Sequence, residues 1–72
     1  MSDTSNISIH LNGRDREVTA GHTVRTLIES LDLHPSLVVV EYNREILERD
    51  RYGTVSVQAG DRVELVHFVG GG

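Results

Sequence analysis

An α+β domain, a mixed sheet of four or five strands with one helix packed across a face, is the fold this chain predicts. Three observations predict it. Apolar residues alternate with a period of two near both ends of the chain, in Ile7, Ile9 and Leu11 and again in Val63 and Leu65, as in half-buried strands. Between them Val24, Leu27, Ile28 and Leu31 fall at i, i+3, i+4 and i+7, the stripe of one amphipathic helix. Finally, 72 residues suffice for one modest hydrophobic core, so residues 1–72 are read as one domain ending in a flexible glycine tail from about residue 69.

The elements follow in order. Ile7, Ile9 and Leu11 alternate with Ser8 and His10, and Asn12-Gly13 comes directly after. That dipeptide favours positive φ at both central positions of a type I′ turn, so Arg14 to Val18 should return antiparallel as a more polar strand. Ala20-Gly21-His22 breaks the strand, and the Thr23 hydroxyl is placed to cap a helix that starts at Val24. Arg25, Thr26, Glu29 and Ser30 form its polar face, and Pro35 is expected to close it by disfavouring helical geometry at His34. Leu37 to Tyr42, rich in β-branched residues, reads as a central strand, Asn43-Arg44 as a turn and Glu45 to Leu47 as a short strand. Glu48 to Gly53 is a charged loop with a possible helical turn, Thr54 to Val57 an extended stretch, and Gln58 to Asp61 a further turn. The last strand runs from Arg62 to Val69, with Val63 and Leu65 on one face and Arg62, Glu64, Val66 and Phe68 on the other.

Composition narrows the function. The formal charge is −4, and all seven basic residues are arginines interspersed with acids, which argues against nucleic acid because such binding depends on clustered cations. There is no cysteine, hence no disulfide and no thiolate nucleophile, and no lysine to accept an isopeptide bond. Met1 to Asn6 is polar and lacks the apolar core of a leader, and no stretch is long and apolar enough to span a membrane, so a cytoplasmic protein is expected. His10, His22, His34 and His67 lack ligand spacing and read as surface residues, so no metal is expected. Glu41, Glu45 and Glu48 read as solvated acids and not as a general acid/base set. No Gly-rich phosphate loop with a following Lys-Ser/Thr is present.

The feature with chemical promise is Gly70-Gly71-Gly72. Without Cβ atoms, such a tail can approach another backbone closely and thread a channel too narrow for side chains. Four extended residues beyond Phe68 reach roughly 13 to 14 Å, enough to deliver the Gly72 carboxylate into a partner's active site. Val66 and Phe68 make the outward face of the last strand turn from polar to apolar as it nears the tail, a candidate docking patch.

From about residue 6 onward the chain resembles the ThiS-type sulfur carriers of the ubiquitin-like β-grasp fold. The resemblance lies in Leu11-Asn12-Gly13, in Thr23-Val24-Arg25-Thr26-Leu27, in Val40-Glu41-Tyr42-Asn43 with Ile46, and most specifically in Gly60 to Gly72 with its His67-Phe68-Val69 before the glycines. Two departures stand out: Asn43-Arg44 where relatives often have Asn-Gly, and Tyr52 near the place of another large aromatic, both expected to affect surface detail. The resemblance implies a carrier and not an enzyme, with no cofactor bound by the chain itself. A partner activating enzyme would adenylate Gly72 with Mg-ATP, a persulfide donor would supply sulfur in place of AMP, and the resulting thiocarboxylate would serve thiazole synthase in thiamine biosynthesis. A sulfur carrier of another pathway, such as a molybdopterin synthase small subunit or a carrier for cysteine or tRNA thiolation, is the alternative within the fold. A non-catalytic ubiquitin-like interaction module is the alternative outside that chemistry.

Overall fold

The computed structural model describes residues 5–68. The first hairpin forms as its sequence requires. β1 (Asn6–Leu11) and β2 (Arg14–Thr19) pair antiparallel, joined by Asn12 at φ 51° and Gly13 at φ 82°. β3 (Val38–Tyr42) and β4 (Glu45–Leu47) make a second hairpin, and its turn is also of the doubly positive kind, with Asn43 at φ 50° and Arg44 at φ 72°. Arg44 thus adopts the left-handed geometry that glycine takes more readily. β5 (Arg62–His67) pairs parallel with β1 and antiparallel with β3, giving one sheet in the order β2-β1-β5-β3-β4.

The helix α1 (Val24–Ser30) lies across one face of this sheet and buries Val24, Leu27 and Ile28. Its N-terminal N–H groups are all accounted for. Val24 N–H donates to the Val55 carbonyl at 3.0 Å and Arg25 N–H to the Tyr52 carbonyl at 2.9 Å, so the loop after β4 doubles as a backbone cap. Thr26 N–H donates to Thr23 Oγ1 at 3.2 Å, and Thr23 N–H donates to Thr26 Oγ1 at 2.9 Å, a capping box in which threonine stands where Glu or Gln is usual.

The core comprises Ile9, Leu11, Val24, Leu27, Ile28, Val38, Val40 and Val63, with Tyr52 and Val57 from the long loop. Three expectations need correction. The helix does not run on to the neighbourhood of Pro35. It stops at Leu31, because Asp32 takes φ 62° and donates its N–H to the Glu29 carbonyl, while Leu33 donates to the Ile28 carbonyl. This is the Schellman arrangement, with aspartate in the left-handed position glycine usually holds. Pro35–Leu37 is a 3₁₀ turn, so β3 begins at Val38 and not at Leu37; proline at its first position pre-sets the turn's φ. Thr54 to Val57, expected as an extended stretch, joins the sheet hydrogen bonding only through one isolated bridge, Thr23–Ser56. Thr54 N–H and Oγ1 both donate to the Arg51 carbonyl, Val57 N–H donates to the His22 carbonyl, the Val55 carbonyl serves the start of α1, and Val57 is buried. Tyr52 is not a surface detail: it is 2% exposed, and its hydroxyl donates to the Val38 carbonyl at 2.7 Å, tying the 3₁₀ turn at Arg49–Arg51 to the central sheet. β5 ends at His67 among the described residues, and Val69 lies outside them. No described helix is long and apolar enough to cross a membrane.

Candidate partner-docking face

With α1 covering one sheet face, β5 divides its side chains by alternation. Val63 is buried and Leu65 half-buried toward the helix, whereas Glu64, Val66 and Phe68 look to the opposite, open face. The register then fixes their neighbours. Val66 stands opposite Val39, Glu64 opposite Glu41, and Glu41 in turn opposite Ile46 of β4. Phe68 N–H donates to the Leu37 carbonyl at 2.9 Å, which keeps the chain beside β3 after the ladder ends.

Val66 is 54% exposed, Phe68 53%, Ile46 69% and Leu37 37%, and together they are the large exposed apolar side chains of the described residues. Two of these, Val66 and Phe68, were expected on this face from the alternation of β5. Ile46 and Leu37 were not assigned to it. Their part depends on the β3–β4 pairing and on the 3₁₀ turn, neither of which spacing within one element reveals. Gly70, Gly71 and Gly72, expected to form the chemical tail, lie outside the described residues.

The opposite end of β5 is held by a polar clamp. Asp61 receives the Tyr42 hydroxyl on Oδ2, the Gln58 N–H on the same oxygen at 2.8 Å, and Asn43 Nδ2 on Oδ1 at 3.2 Å. Arg62 N–H donates to Asn43 Oδ1 at 2.8 Å, so the start of β5 and the β3–β4 turn are locked to one another. Burial, then the hydrogen bond to Asp61 and the charge of that carboxylate, push the Tyr42 phenol up to about 12. Beyond it, Leu65 N–H donates to Asn12 Oδ1 at 2.7 Å, anchoring β5 to the first turn. The strand that leads to the glycines is therefore fixed along its length.

Nothing in the described part is arranged as a catalytic centre. A depression of about 530 Å³ lies beside β4, lined by Tyr42, Glu45, Ile46, Leu47, Glu48, Arg51 and Val55 with no nucleophile and base in contact. Among the described residues no three His, Asp or Glu side chains converge as metal ligands. His10 instead pairs with Asp15 across the first hairpin, Nδ1 to Oδ1 at 2.6 Å, on the exposed surface.

A hairpin, a crossing helix, and a second hairpin whose partner strand runs parallel to the first define a β-grasp domain, here with an apolar face beside the strand that leads to a glycine tail. Comparison with known proteins narrows the class. The ThiS family model matches residues 9–72, and the chain belongs to that family. It is 40% identical over 67 residues to the sulfur carrier protein ThiS of Bacillus subtilis, covering 89% of this chain and 98% of that protein. It is 42% identical over 66 residues to a thiazole synthase of Magnetococcus marinus, covering 92% of this chain but 20% of that protein. The chain thus spans about a fifth of the length of the thiazole synthases it matches. The crystal structure of the thiamine biosynthesis protein ThiS from Geobacter metallireducens superimposes with a TM-score of 0.77 at 33% identity, covering 92% of this chain and all of that one. This chain is thus a ThiS-family domain, similar over nearly its whole length to a protein named as a sulfur carrier and to one named for thiamine biosynthesis.

Proposed function

We propose that the domain carries sulfur on the α-carboxylate of Gly72 and delivers it for assembly of the thiazole of thiamine. The observation that carries this reading is the family match, which extends through residue 72 and so includes the glycines beyond the described strand. A carboxylate at neutral pH is ionised and a poor electrophile, so it requires activation. In the proposed cycle an activating enzyme joins Gly72 to AMP at the expense of Mg-ATP, releasing pyrophosphate. The outer sulfur of a persulfide attacks the acyl carbon, AMP leaves, and a thiol reductively frees the thiocarboxylate. Thiazole synthase then takes the sulfur, a partner suggested by two relatives of that name that contain a matching segment. The cycle is proposed for the cytoplasm, a compartment that supplies its Mg-ATP.

The chain's own part in this cycle is access and docking. Gly70 and Gly71 let the backbone enter a narrow channel, and Val66 and Phe68 give the partner an apolar surface next to it. Intact-mass measurement tests the reading. Incubated with its activating enzyme, Mg-ATP and a persulfide donor, the protein should gain the mass of sulfur minus that of oxygen, and a chain lacking Gly71 and Gly72 should not. An unchanged mass in the full chain would overturn it. Copurification with a molybdopterin synthase large subunit in place of thiazole synthase would reassign the pathway.

A further inference from the structure

β2 stands at one end of the sheet, runs six residues and has all but Val18 exposed, whereas β4 at the other end has three residues. The hairpin fixes which of its backbone groups point outward. Leu11 and Arg14 flank the two-residue turn and exchange both bonds, so Arg14, Arg16 and Val18 turn their groups to β1, and Asp15, Glu17 and Thr19 turn theirs to the open side. Ala20 N–H donates to the Ser5 carbonyl at 2.8 Å, continuing the same alternation, and among the described residues no loop or turn bond reaches the outward groups. Such a row of free N–H and C=O groups is a template for a further strand.

The charges of β2 alternate with the same period. Arg14 and Arg16 stand opposite Leu11 and Ile9 and share the face covered by α1, while Asp15 and Glu17 stand opposite His10 and Ser8 on the open face. When two copies meet antiparallel about a two-fold axis on this edge, outward residues oppose outward residues and inward oppose inward. Centred on Asp15, that pairing sets Asp15 against Asp15 and Arg14 against Arg16; centred on Arg16, it sets Arg16 against Arg16 and Asp15 against Glu17; centred on Glu17, it sets Glu17 against Glu17. A slip of one residue would match Arg14 with Glu17 and Asp15 with Arg16, but it would oppose outward groups to inward ones and leave the ladder unbonded. We infer that the Arg14 to Glu17 alternation guards the β2 edge against pairing with a second copy of this chain, because each antiparallel register the backbone allows opposes like charges. The guard belongs to the hairpin and holds whatever Gly72 carries.

The test inverts the alternation. R14E/D15R/R16E/E17R keeps the net charge of the chain and still opposes like charges when it meets itself, yet against wild type it meets opposite charges in the register centred on position 16. In sedimentation equilibrium at millimolar protein each chain should be monomeric alone and the mixture a one-to-one dimer. The association constant of the mixture should exceed that of either chain alone at least about tenfold and fall with added salt. Amide exchange should slow at positions 15 and 17 of both chains and stay unchanged at 14, 16 and 18, whose N–H groups β1 already holds. With both chains folded by circular dichroism, a mixture that stays monomeric would overturn the inference, as would wild-type protein that dimerises with protected amides at Asp15 and Glu17. Should the inverted chain not fold, R16T/E17R decides. It keeps Asp15 and its His10 contact, opposes Asp15 to the introduced arginine, and should dimerise with itself where R16T does not; equal behaviour of the two would overturn the inference.

Discussion

Arg44 shows how a single residue can be legible in kind but not in outcome. The Asn43-Arg44 pair reads as a turn from sequence, yet whether arginine would accept a positive φ or force another turn type was open; the structure has it at 72°. A Cβ in that region costs about 1 to 2 kcal/mol in strain, which the adjoining β3–β4 ladder and the Asn43–Asp61 hydrogen bond hold in place. Arg44→Gly should therefore stabilise the domain by about 0.5 to 1 kcal/mol, the larger unfolded-state freedom of glycine offsetting part of the relief; urea unfolding measures it, and a loss of stability would show that the arginine side chain contributes more than its backbone costs. Tyr42 gives a second residue-scale prediction, in pH. Its phenol titrates near 10 in the unfolded chain and at about 12 in the folded one, so the folded state holds its proton more tightly. The associated stability is fully present below pH 10 and is lost as pH rises from 10 through 12. Tyr42→Phe should remove this part of the alkaline decline and, at neutral pH, cost about 1 kcal/mol for the lost bond to Asp61, a difference visible in unfolding curves recorded at pH 7, 10 and 11.5.

At the scale of elements, the start of α1 was legible and its end was not. Thr23 was recognised as the cap because Ser, Thr, Asp and Asn accept the orphan N–H groups that open a helix, and its hydroxyl does so. Thr26 as the returning half of the box was missed, since the usual signature asks for Glu or Gln at that place. The stop at Asp32 was hidden for the same kind of reason: aspartate enters the left-handed region less readily than glycine, so the local signal was weak and Pro35 drew the boundary instead. The loop from Glu48 to Asp61 was the least legible part, because its shape follows from long-range bonds, Tyr52 to Val38 and the Val55 and Tyr52 carbonyls to the helix N-terminus. Thr23→Ala should cost about 1 kcal/mol, and because the loop carbonyls still serve Val24 and Arg25, the helix should survive with full far-UV circular dichroism at 25 °C. Loss of that signal would mean that the threonine box, and not the loop, closes the helix end.

For the molecule as a whole, the sheet separates stability from docking. One face meets α1 and supplies the core; the other presents Ile46, Val66 and Phe68. The alternation of β5 makes this division readable in part, since it alone puts Val66 and Phe68 on the outer face. Their companion Ile46 required the register of three strands. The division has a measurable consequence in a chain of this size. Domains of 72 residues are held by about 4 to 11 kcal/mol at roughly 0.05 to 0.15 kcal/mol per residue. Leu27, fully buried between helix and sheet, should cost about 2 to 5 kcal/mol when cut to alanine, a large share of that total. Phe68, half exposed on the outer face, should change stability by less than about 0.5 kcal/mol on the same truncation. Binding to the activating enzyme should rank them the other way: Phe68→Ala weakens it several-fold while the folded fraction of Leu27→Ala binds as wild type. Urea unfolding and titration of both variants against that enzyme provide the comparison. If Phe68→Ala lost as much stability as Leu27→Ala, or bound unimpaired, the outer face would belong to the fold and not to the partner.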